Sequence, residues 1–181
     1  MMDDIKKVLY TEEDIKNAVD RIASEINRDY KNVSGKTVLL CILKGSLPFC
    51  ADLMRRLDFP VELDCMKASS YGAGTTSSGK LNISLDIIRD DFENTNFIIA
   101  EDIMDSGLTL SCIRKMLLDR GAMSVKVATL LNNPHRRKAD IEPDYEGFVM
   151  PNEFVVGYGL DYNENYRQLP YIGVLKPEIY G

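Results

Sequence analysis

Apolar positions along the chain fall into two alternating kinds of pattern. Thr11 to Tyr30 carries Ile15, Val19, Ile22 and Ile26 on one helical stripe, with charges on the other side. Thr11 followed by Asp14 fits a capping box at its start. Thr37 to Leu43 is a continuous apolar run, the pattern of a strand buried on both faces. Lys44-Gly45-Ser46 follows, and Pro48 then sits near the first turn of a helix running to about Leu57. Phe97 to Ala100 is a second buried run, succeeded by a tight turn and a helix over Thr109 to Arg120 that Gly121 stops. Val125 to Leu131 predicts another strand, Glu153 to Asp161 a further one with an aromatic near its start and an acid at its end, and Pro170 to Leu175 a closing one. Val61 to Lys67 and Leu81 to Ile87 alternate apolar and polar residues, which predicts two strands joined by a Gly/Ser/Thr loop over about 69–80.

Repeated strand–helix units of this length predict an α/β domain with a mostly parallel sheet flanked by helices. Ligands are expected at the carboxyl ends of the strands. At 181 residues, with no linker, low-complexity tract or internal repeat, one domain over 1–181 is expected.

Composition narrows the function classes. A net charge of −6 argues against broad binding to nucleic acid or anionic membrane. Met1 to Lys7 is charged and no run is long enough to span a bilayer, so a cytoplasmic protein is expected. Cys41, Cys50, Cys65 and Cys112 lack Cys-x-x-Cys spacing and sit in apolar segments, the pattern of reduced buried thiols. His135 lies in the polar run Asn132 to Lys138 and reads as a surface residue.

The chemistry concentrates in Phe97 to Leu110, Phe-Ile-Ile-Ala-Glu-Asp-Ile-Met-Asp-Ser-Gly-Leu-Thr-Leu. A turn between a strand and a helix offers backbone N–H groups and hydroxyls to an anion. Gly107 permits close backbone approach. Glu101, Asp102 and Asp105 would repel a phosphate, so metal binding, sugar-hydroxyl binding and proton transfer are their candidate roles. Lys44, in the earlier turn, can meet a phosphate as a point charge.

The stretch resembles the 5-phosphoribosyl diphosphate (PRPP) motif of type I phosphoribosyltransferases. Leu43-Lys44-Gly45-Ser46 and Glu153-Phe154-Val155-Val156-Gly157-Tyr158-Gly159-Leu160-Asp161-Tyr162 are similar to the hypoxanthine-guanine branch. The resemblance covers nearly the whole chain. It implies the type I fold with a small hood and a flexible lid loop, and PRPP, a purine base and Mg²⁺ as ligands. It implies transfer of phosphoribosyl to a 6-oxopurine, hypoxanthine or guanine, in purine salvage. By the same resemblance Asp105 is the catalytic residue, and Asp105, Ser106, Gly107, Leu108 and Thr109 hold the 5′-phosphate. Lys44, Gly45 and Arg167 hold diphosphate, with a cis peptide before Lys44. Glu101, Asp102 and Asp161 serve ribose and metal; Phe154 stacks on the purine and the Val155 backbone reads its edge. Ser70 and Tyr71 belong to the lid, with Lys67 just before it. Relatives are dimers or tetramers, so a homo-oligomer is expected. Near-matches carry a lysine where Asn133 stands; its amide can still donate to the purine but is shorter and uncharged. That leaves a transferase for xanthine or another base as an alternative. A PRPP-sensing regulator of the same fold is the alternative from another class.

Overall fold

The computed structural model describes residues 2–70 and 81–181. In chain order the elements are β1 (Ile5–Tyr10), α1 (Glu12–Tyr30), β2 (Lys36–Ile42), α2 (Leu47–Met54), β3 (Glu62–Ser70), β4 (Leu81–Leu85) and β5 (Thr95–Met104). Then follow α3 (Leu108–Asp119), β6 (Ser124–Asn132), β7 (Tyr145–Val149), β8 (Val155–Val156), β9 (Ile172–Leu175) and α4 (Pro177–Tyr180). Six strands form the main sheet in the order β4-β3-β2-β5-β6-β7, and a second sheet has the order β1-β9-β8. Every pairing in the main sheet is parallel except β3 with β4.

The period-2 alternation along the central strands divides the core between the two sheet faces. Leu39 and Cys41 of β2 and Ile98 and Ala100 of β5 pack with α1 and α2. Val38, Leu40, Phe97 and Ile99 point the other way and pack with Leu110, Ile113 and Leu117 of α3. Each large aliphatic removed from water here is worth about 1.5–3 kcal/mol, so the two faces hold both helix layers to the sheet. The Thr11 capping box forms in full: Asp14 N–H donates to Thr11 Oγ1 at 3.2 Å, and Thr11 N–H donates to Asp14 Oδ2 at 2.9 Å.

Three boundaries differ from the sequence pattern. The apolar run at Phe97 continues as strand through Glu101 and Asp102 to Met104, because β6 keeps pairing as far as Met104 opposite Asn132. The helix after Lys44 ends at Met54, and two turn hydrogen bonds carry the chain on to Leu57. The expected strand from Glu153 to Asp161 reduces to Val155–Val156. Gly157, Tyr158 and Gly159 take positive φ there, and a Cβ at Gly157 would overlap the Tyr171 carbonyl. The 71–80 part of the lid loop, Tyr71 included, lies outside the described residues.

Candidate active site

The pairing of β2 with β5 stops at Cys41 opposite Ala100, whereas β5 and β6 continue to Asn132. Glu101 and Asp102 therefore stand at the rim, where β2 has turned away into Lys44–Ser46. The Leu43–Lys44 peptide in that turn is cis. Two adjoining cavities open at this carboxyl end of the sheet. One, about 100 Å³, is lined by Glu101, Ile103, Asp105, Ser106, Gly107 and Thr109 among others. The other, about 370 Å³, gathers Lys44, Gly45, Glu101, Asp102, Asp161 and Arg167. Cavities of similar size, about 420 and 470 Å³, lie around Tyr30, Lys31 and Phe59. Chemistry rather than volume selects the carboxyl end, since four carboxylates and two cations line its cavities.

The small cavity is shaped by the turn at 105–107. Gly107 caps α3 with φ 73°, and a Cβ there would come within 2.7 Å of Ile141 Cγ2. The Ser106 carbonyl accepts from the backbone N–H groups of Lys138 and Ala139, at 2.9 and 3.0 Å, so the turn is braced from behind. Its open side faces the start of a three-turn helix, whose dipole favours an anion.

The acids differ in environment. Burial pushes the Glu101 carboxyl well above the ordinary carboxylate range, and the neighbouring Asp102 charge pushes it further. Its Oε2 is inaccessible and has no hydrogen-bond partner among the described residues. Asp102 is pushed up to about 6, chiefly by burial, against hydrogen bonds that hold it down, notably from the Ile103 N–H at 2.8 Å. Asp105 is engaged at both oxygens: Asn133 Nδ2 donates to Oδ1 at 2.8 Å and an Arg136 guanidinium N–H donates to Oδ2 at 3.2 Å. Arg137 donates to its backbone carbonyl at 2.6 Å.

Across the larger cavity, Lys44 Nζ meets both oxygens of Glu164 at 3.1 Å. Arg167 pairs with Asp161 at 2.8 Å and with Glu164 at 3.3 Å, and donates to the Gly159 carbonyl at 2.7 Å. Three chain segments meet closely here. A Cβ on Gly45 would overlap the Asp102 carboxylate, and one on Gly159 would overlap the Gly45 carbonyl. Gly45→Ala is therefore expected to destabilise the fold by about 1–3 kcal/mol, the range for forcing a methyl into packed surroundings. Thermal denaturation should read this as a fall of roughly 3–10 °C in Tm; an unchanged Tm would mean the two segments separate freely.

Of the residues singled out from the sequence, Lys44, Gly45, Glu101, Asp102, Asp105, Ser106, Gly107, Thr109, Asp161 and Arg167 line the two cavities. Leu108 follows Gly107 as the first residue of α3. Asn133, Phe154 and Val155 do not line them. Asn133 is buried against Asp105, whereas Phe154, 37% exposed, stacks on Tyr180 with ring centroids 4.6 Å apart and meets Tyr162 edge-on. Val155 is buried in β8, opposite Val174. Ser70 is the last residue of β3. Lys67 is exposed on the same strand, and Ala68, not Lys67, reaches the larger cavity. Sequence reasoning missed Glu164, Arg136 and Tyr180; each acts through a partner distant in the chain or in a polar turn that has no pattern of its own.

Comparison with known proteins agrees with this geometry. The model of the phosphoribosyl transferase domain matches residues 7–163. A hypoxanthine-guanine phosphoribosyltransferase of Streptococcus pneumoniae is 50% identical over 178 residues, covering 98% of this chain and 97% of that protein. The crystal structure of a hypoxanthine phosphoribosyltransferase from Staphylococcus aureus superposes with a TM-score of 0.93 at 47% identity, covering 100% of this chain and 97% of that one. A Trypanosoma cruzi hypoxanthine phosphoribosyl transferase, studied for the role of its C-terminal region in oligomeric state and activity, superposes with a TM-score of 0.90 at 40% identity, covering 97% and 94%. With a strand–turn–helix pocket flanked by rim carboxylates, and these relatives along nearly its full length, the chain belongs to the phosphoribosyl transferase family, in its hypoxanthine-guanine branch.

Proposed function

We propose that this protein is a purine-salvage transferase that moves the 5-phosphoribosyl group from PRPP to a 6-oxopurine, hypoxanthine or guanine, releasing diphosphate. One observation carries the reading: the turn at 105–109, open to an anion, adjoins a cavity where Lys44 and Arg167 face Glu101, Asp102 and Asp161. Such a site suits a ligand with a phosphate at one end, hydroxyls in the middle and a diphosphate at the other. Ser106, Gly107, Leu108 and Thr109 grip the 5′-phosphate, Lys44 and Gly45 the diphosphate, with Arg167 beside them. Glu101 and Asp102 hold the ribose hydroxyls. Asp105 takes the proton from the purine N7, Phe154 stacks on the base, and the Val155 backbone reads its edge.

The carboxylates also fit Mg²⁺. The inaccessible Glu101 Oε2 without a partner is a donor in want of a cation. No three His, Cys, Asp or Glu among the described residues are grouped closely enough to cage an ion alone. That suits Mg²⁺, which is held by one or two carboxylates together with substrate phosphates. Asp161 would reach it, with Glu101 and Asp102 orienting it beside the ribose, and it would neutralise charge on the departing diphosphate. The rest of the rate comes from positioning, as positive charge develops on a ribose held between fixed groups. Among the described residues no helix is long and apolar enough to cross a membrane. A homo-oligomer, dimer or tetramer, in the cytoplasm belongs to the same reading.

Diphosphate release from PRPP and Mg²⁺ with hypoxanthine, guanine and xanthine tests it. Turnover is expected with hypoxanthine and guanine, and none after chelation. Turnover with xanthine alone would move the protein to another base. PRPP binding with no turnover on any base would make it a sensor of the same fold.

A further inference from the structure

Asn133 is 2% exposed, at the carboxyl end of β6, and its backbone N–H donates to the Met104 carbonyl at 3.0 Å. Its side-chain amide is thus carried on the pair of strands that ends at Asp105. The amide N–H₂ donates to Asp105 Oδ1 at 2.8 Å, while Asn133 Oδ1 is inaccessible and has no partner. A flipped amide would set that oxygen against the carboxylate, so Asp105 itself dictates the orientation. The other carboxylate oxygen, Oδ2, is held among the described residues only by Arg136, whose side chain is 63% exposed. One oxygen of Asp105 is therefore fixed from the buried side, and the other is held by a long, exposed side chain that can leave.

We infer that Asn133 is a positioning residue for Asp105 rather than a reader of the purine edge: it anchors Oδ1 so that Oδ2 is the oxygen presented to the purine proton. The inference rests on Asp105 as the base in the proposed reaction. In that step the N7–H bond breaks, its electron pair stays on the purine, and the proton goes to Oδ2; Arg136 must swing aside or stay bonded edge-on as the base enters. Asn133 contributes no proton. It keeps the carboxylate from rotating, which matters because a general base works only within hydrogen-bond reach of the proton it takes.

The test is a double-mutant cycle on the full chain. Asn133→Leu removes the donor while keeping the branched shape, in a somewhat larger side chain. It should lower kcat roughly tenfold or more, the effect of losing one hydrogen bond to a charged group. The factor should be the same for hypoxanthine and guanine, with the KM values for base and PRPP within about twofold. Placed in an Asp105→Asn background, the same substitution should cost nothing further, because the group it orients is gone. A raised KM for the base, a changed ratio between bases, or a full additional loss in the Asp105→Asn background would each overturn the inference. Should Asn133→Leu fail to fold by circular dichroism, Asn133→Ala carries the same cycle. Asp105→Asn alone reports separately: if it leaves kcat unchanged, the reading of Asp105 as base fails first, independently of Asn133.

Discussion

Asp105→Asn is expected to lower kcat by about 10²–10⁴-fold, the range general bases contribute, while PRPP affinity changes by about twofold or less. The carboxylate lines the small cavity, and in the proposed reading the grip on the 5′-phosphate comes from the turn behind it. The Ser106 carbonyl is braced by Lys138 and Ala139, and Gly107 sits at φ 73° against Ile141. None of these depends on the Asp105 side-chain charge. The asparagine has the shape to keep the acceptor for Asn133, so the local structure should persist. What is lost is an oxygen able to take a proton. Steady-state kinetics with hypoxanthine, alongside calorimetric titration with PRPP and Mg²⁺, separates the two effects. A kcat near wild type would remove Asp105 from the base role, and a large loss of PRPP affinity would mean that the carboxylate shapes the pocket instead.

The contrast between Asp105 and its surroundings also shows what the sequence reveals and what it hides. The strand, turn and helix around Gly107 were readable because their features are local: an apolar run, acids, a glycine and a helix pattern within fourteen residues. The α1 stripe and its Thr11–Asp14 cap were readable for the same reason. β1, with Lys6 and Lys7 in its middle, was not, since its strand state depends on β9 some 160 residues later. β7 was hidden likewise: it is an edge strand whose only ladder is with β6, and its Gly147 lies against the Leu130 carbonyl. Glu101 and Asp102 read as residues past a strand, because nothing in the sequence says that β6 outlasts β2 as a partner of β5. Asn133 read as a purine contact through resemblance. Its burial against Asp105 is a tertiary fact, fixed by the Met104–Asn133 hydrogen bond between two strands far apart in sequence.

Those rim acids should make the ligand-free protein less stable than its own inactive variants. Asp102→Asn is expected to raise Tm at pH 7 while abolishing PRPP-dependent turnover. Asp102 has a folded-state pKa of about 6 against an ordinary 3.8. Below about pH 4 it is neutral in both folded and unfolded chains and costs nothing. Between about 4 and 6 the unfolded chain gives up the proton and the folded one keeps it, so stability falls as pH rises. Above 6 the penalty is complete, about 3 kcal/mol for roughly two pKa units. Asparagine cannot titrate, and its oxygen can still accept from the Ile103 N–H. The advantage of Asp102→Asn over wild type should therefore grow from near zero at pH 4 to about 3 kcal/mol at pH 7, or roughly 5–10 °C in Tm. Glu101→Gln should move the same way, since burial and the Asp102 charge hold that carboxyl high as well. Melting curves at pH 4.5, 5.5 and 7 check both. An advantage constant with pH would point to packing instead of ionisation, and a lower Tm at pH 7 would mean the acids stabilise the fold and are not held ready for a cationic ligand.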